Sequence, residues 1–212
     1  LPSDHTSGTG ENAPTPTSMA ADNDLAVGKL VDAISHSPFW AKTCIFVIED
    51  DPQAGFDHVD GHRSVCWVVS PYTKRRQIVS EFYNQTSVLH TMELILGLLP
   101  MNQMDAMAPV MRECFVETPD LKPYTAVPNR VPLDKMNPKK VAISGKELEL
   151  AQTSEKQNFT EPDRVDDDAM NRIIWHSVKG IDSPYPAEFA GAHGKGLKSL
   201  KLKPFDDDDD DD

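Results

Sequence analysis

The sequence predicts an α/β fold: a mostly parallel sheet flanked by helices, followed by an extended, partly helical appendage and a disordered acidic tail. Three observations carry this. Residues 44–48 (CIFVI) are a continuous apolar run, the pattern of a strand covered on both faces. Residues 64–70 (SVCWVVS) are again apolar and β-prone. Helical stripes precede and follow this pair, so helices and strands alternate along the chain.

Leu1 to Thr17 is a loop rich in Pro, Gly, Ser and Thr, with Asp4 and His5 at its start. A helix is expected from Met19 to about Ile34, with Leu25, Leu30, Val31 and Ile34 as its stripe and Thr17 or Ser18 as its cap. Ser37-Pro38 ends it, and Phe39 and Trp40 pack under the turn into the first strand. Between the strands lie Glu49, Asp50, Asp51, His58, Asp60 and His62. A basic connector, Lys74-Arg75-Arg76, follows the second strand. Asn84 to Leu98 reads as a helix with Val88, Leu89, Met92, Ile95 and Leu96 on one face, Thr86 or Ser87 as cap, and His90 and Glu93 outward. Gly97 and Pro100 stop it. The methionines at 101, 104, 107 and 111 fit gap-filling packing, with an adaptable binding surface as the alternative.

From Glu117 prolines space out an extended segment. Two short helices are expected after it, Ser144–Gln157 and Val165–Lys179, the second burying Met170, Ile173, Ile174 and Trp175. The chain thus divides into 1–116, an α/β portion; 117–182, an appendage packing on it; and 183–212, a polar tail ending in Asp206–Asp212.

The 212 residues suffice for one domain with a core. The net charge is −13, and seven of those charges belong to the terminal aspartates. This balance argues against nucleic acid as a partner. No apolar run approaches the roughly 18 residues of a transmembrane segment. Cys44, Cys66 and Cys114 are an odd number, not a disulfide framework, and read as buried small hydrophobes. Leu1 replaces an initiator Met, and LPSDHT reads as the end of a strand entering a loop. The chain is therefore expected to begin inside a domain.

Acids and imidazoles crowded between two core strands are costly unless a positive charge offsets them. A divalent metal ion does so, because carboxylates and neutral imidazoles are its usual ligands. Ligands of open α/β sheets sit beyond the carboxyl ends of strands, where this loop is expected.

The runs LPSDHT, ADNDLAVGKLVDAISHSPFW and TCIFVIEDDPQAGFDHVDGHRSVCWVVSPY resemble the C-terminal half of the phosphoesterase branch of the alkaline phosphatase superfamily. That branch includes bacterial phospholipase C and acid phosphatase relatives, often joined to an N-terminal β-propeller. The resemblance implies a partial alkaline-phosphatase-like sheet and hydrolysis of phosphate esters in the intact protein. It also implies two divalent metal ions, drawn from Zn, Mn, Ca, Mg or Fe. On this likeness Asp50 and His62 match metal ligands. Asp51 stands where most superfamily members have His, and the phospholipase-type branch has an acid there. Asp4 and His5 match the first Asp/His loop, with Asp4 assigned to metal and His5 to catalysis. His58, in FDHV, takes a catalytic role on the substrate side.

The resemblance places the nucleophile and the first metal-binding acid in an N-terminal half that these residues lack. That half of the parent chain is then a required partner, and the isolated chain is incomplete as an enzyme. The substrate is expected to be a phosphorylated small molecule or phospholipid-like molecule, and the location periplasmic or extracellular. Two other readings remain: a non-catalytic metal- or ligand-binding relative, and a sulfatase or phosphonate hydrolase.

Overall fold

The computed structural model describes residues 1–49, 64–161 and 164–187. Among the described residues it has five α-helices and one small sheet: α1 (Pro16–Ser35), β1 (Ile45–Ile48), β2 (Cys66–Val69), α2 (Gln85–Leu96), α3 (Gln103–Ala106), α4 (Gly145–Lys156) and α5 (Asp167–Lys179). No helix among the described residues is long and apolar enough to cross a membrane. Two compact units are present. One holds 1–26 and 128–187 within the described residues, the other 27–49 and 64–127. α1 contributes residues to each.

α1 starts earlier than the sequence suggested. Pro16 occupies its first turn, where a missing N–H costs nothing. Thr15 does the capping: its Oγ1 accepts from the Ser18 N–H at 3.2 Å. Ser18 is fully buried inside this turn and donates to the carbonyls of Thr15 and Lys135. Val27 and Val31 form the buried face, whereas Leu30, expected in the stripe, is exposed.

β1 and β2 are antiparallel, with Ile45 opposite Val69 and Ile48 opposite Cys66. This corrects the expectation of a mostly parallel sheet. Parallel pairing needs a crossover, usually a helix, and residues 49–65 are polar and punctuated by Pro52, Gly55 and Gly61 with no helical stripe. The strands are not covered on both faces either. Ile45, Phe46 and Val47 are half-buried, and Ile48, Cys66 and Trp67 are exposed. A continuous apolar run thus sits in a two-stranded ribbon, which by itself is marginally stable. The cysteines follow suit: Cys66 is exposed, Cys44 and Cys114 are half-buried, and all three are free.

α2 is capped by Asn84, not by Thr86 or Ser87. Asn84 Oδ1 accepts from the Ser87 N–H at 3.0 Å, and Ser87 Oγ returns a bond to the Asn84 N–H, a complete capping box. Gly97 ends the helix at φ 69°, a left-handed position glycine adopts without strain. Met101, Met104 and Met107 are exposed and only Met111 is buried, so gap-filling packing holds for one methionine of the four. Within the same unit, Arg75 lies over the Tyr124 ring at 4.3 Å and pairs with Asp120 at 3.2 Å. Buried Trp40 meets Tyr124 edge-on, while Phe39 is exposed. The basic connector is therefore partly a structural clamp on the proline-spaced segment.

In the other unit α5 is capped by Asp166, whose Oδ1 accepts from the Ala169 N–H, and acids in its first turn suit the helix dipole. Its apolar face forms the core, where Met170 and Ile173 join Val165 and Leu150. Arg172 bonds Asp168 one turn back and lies over the Tyr185 ring.

Candidate functional site

Asp4 and His5 lie in the irregular segment before α1. Asp4 is half-buried and His5 exposed. Three interactions fix this segment. Asn23 of α1 donates through Nδ2 to the Pro2 carbonyl at 2.9 Å. The Gly8 N–H bonds Thr6 Oγ1 at 3.1 Å. Asn137, buried, donates through Nδ2 to the carbonyls of Gly8 and Gly10, both at 3.0 Å. Gly8 has φ 78°, and a Cβ there would lie 2.6 Å from Ser154 Oγ and 2.9 Å from Ile173 Cγ2. The loop carrying Asp4 and His5 is thus pressed onto α4 and α5 at a place only glycine fits.

The described residues on either side of the acid/imidazole stretch are tied to each other. The Glu49 N–H donates to the Val65 carbonyl at 3.1 Å, extending the β1–β2 ladder by one bond. Gln85 of α2 reaches the Glu49 carbonyl at 3.4 Å. Glu49 and Val65 therefore lie side by side where the chain leaves and rejoins the ribbon. Asp50, Asp51, His58 and His62 lie outside the described residues. Among the described residues no group of three His, Cys, Asp or Glu side chains is arranged to hold a metal ion.

Cysteine chemistry finds no support in this site. Burial pushes the Cys44 thiol up to about 11, and burial also raises Cys66 and Cys114. A thiol that stays protonated at neutral pH is a poor nucleophile. Three histidines outside this site have structural or exposed placements: His36 is exposed, His90 Nδ1 bonds the Ala108 carbonyl at 2.7 Å, and His176 is buried in the α5 face.

One pair of acids escaped the sequence reading. Glu93, expected to point outward, is buried, as is Asp105 of α3. A signal was present in the spacing Asn102-x-x-Asp105, which is a capping box.

Residues 9–99 match the model of the Phosphoesterase family. This stretch runs from the loop before α1 through β1, the central loop, β2 and α2, and contains Asp50, Asp51, His58 and His62. A comparison with curated proteins finds no significant match.

Proposed function

We propose that this chain forms part of a metal-dependent hydrolase acting on phosphate esters. The observation that supports it is the family match over the very stretch that concentrates Asp50, Asp51, Asp57 and Asp60 with His58 and His62. The donor set of Asp4, Asp50, Asp51 and His62, three carboxylates and an imidazole, fits a divalent cation chemically. Such an ion, when bound, polarises phosphoryl oxygens and offsets the charge of the substrate. His5 and His58 are proposed to position the ester or carry a proton. None of the described residues takes the role of nucleophile in this reading. The half-exposed ribbon and the apolar residues exposed on α2 favour completion of the sheet by further strands.

The test is hydrolysis of an aryl phosphate monoester and diester by the intact protein, before and after chelation. Turnover should disappear with chelator, return with a divalent ion, and drop by at least about 100-fold in Asp50→Asn and His62→Ala, in line with the loss of first ligands. Turnover indifferent to chelator and to both substitutions would sink the proposal. Stoichiometric metal binding without turnover would instead support the non-catalytic relative.

A further inference from the structure

We propose that Glu93 and Asp105 share one proton and act as a pH-sensitive latch holding the end of α2 against α3. Glu93 is 6% exposed and Asp105 1%. Asp105 is committed to the charged form by its surroundings. Its carboxylate accepts the N–H groups of Met101, Asn102 and Ala106, each at 2.9 Å. Glu93 is placed differently. Both of its carboxyl oxygens are shielded from solvent and neither has a donor in bonding geometry. A buried carboxylate without donors gives up its charge by taking a proton. Once protonated, Glu93 becomes a donor, and α3, which packs on α2 and carries the buried Asp105, brings it a carboxylate acceptor.

The surrounding groups agree with this assignment. Burial raises Glu93 above the ordinary glutamate value, and the hydrogen bond to Asp105 and its negative charge push the same way. The Met101 N–H, already bonded to Asp105, and the imidazole of His90 on α2 oppose the rise less strongly. Burial works against the Asp105 carboxylate, yet the amides of Asn102 and Met101, the Glu93 hydroxyl and the Ala106 amide more than offset it, and its value falls.

The signs define a window. A raised Glu93 stabilises the fold fully below its ordinary value, and this is lost as pH rises through the folded value. A lowered Asp105 stabilises above its ordinary value, and this is lost as pH falls through the folded value. The latch is closed between the two. Above the window the proton leaves to water and two carboxylates face each other. The turn they close is short: the Leu98 N–H bonds the Glu93 carbonyl at 2.8 Å, and Met101 begins the loop into α3. Opening therefore frees the segment that carries exposed Met101 and Met104.

The experiment compares thermal midpoints of the full chain and of Glu93→Gln from about pH 5 to about pH 8. Glutamine keeps shape and a donor but cannot ionise. The wild type should lose about 3 °C or more relative to the variant as pH rises. An equal pH dependence of the two proteins overturns the latch. Carboxyl-carbon NMR titration of the wild type is independent of whether the variant folds. Glu93 should titrate above 4.5 and Asp105 below 3.8. A Glu93 midpoint at or below 4.5 overturns the proposal.

Discussion

α2 and α5 are helices of similar length with opposite fates. α5 carries more charged residues, yet Met170 and Ile173 are sealed against α4 and the loop before α1. α2 is richer in Leu and Ile, yet Leu89, Leu94, Ile95 and Leu96 are exposed and Val88 alone of its aliphatic residues is buried. A periodic stripe defines a face; a partner element buries it. The difference also follows the limits of the family-model match. α2 and the ribbon lie within residues 9–99, whereas α4 and α5 lie outside that match. The matched segment exposes apolar surface along α2, while α4 and α5 close a small core with the loop before α1.

Three substitutions sharpen or break this contrast. Ile173→Ala should cost the most, about 3 kcal/mol, since the residue is 0% exposed and packs where the Gly8 backbone approaches. Urea denaturation measures it, and a cost under about 1 kcal/mol would show that the α5 core is loose. Asn137→Ala should follow at about 1–3 kcal/mol, because the carbonyls of Gly8 and Gly10 lose a buried donor. Hydrogen exchange at residues 8–15 should rise in parallel, and unchanged exchange there would contradict the anchoring role. Leu99→Ser, just beyond α2 at a residue 88% exposed, should change stability by less than about 0.5 kcal/mol. A loss above about 1.5 kcal/mol in the same urea assay would mean that this surface is covered in solution, and the contrast would fail.

Elements with a single strong period were legible. α4 and α5 fall within a residue or two of their expected ends, and Gly97 marks the end of α2 as a left-handed terminator should. Caps were displaced because several Ser, Thr and Asn side chains compete within one turn, and only geometry decides between Asn84 and Ser87. Strand direction was illegible because an apolar run reports burial and says nothing of the partner's direction. Glu93 was misplaced for a similar reason. Its chemistry says surface, and only Asp105, brought near by a turn, makes burial tolerable. Of the six candidate site residues, Asp4 and His5 are placed by the fold, and the loop's anchor points at Glu49 and Val65 are set by a backbone bond.

The three tryptophans occupy three different environments. Trp40 is 4% exposed beside Tyr124 in one unit, Trp67 is 43% exposed on the ribbon, and Trp175 stands edge-on to Tyr185 with Lys179 over its ring in the other unit. Intrinsic fluorescence of this chain is accordingly a composite of three emitters, each with its own quenchers. An unfolding curve read from total emission would blend the melting of both units with solvent changes at the sheet. Variants retaining one indole each would resolve these into separate spectroscopic channels.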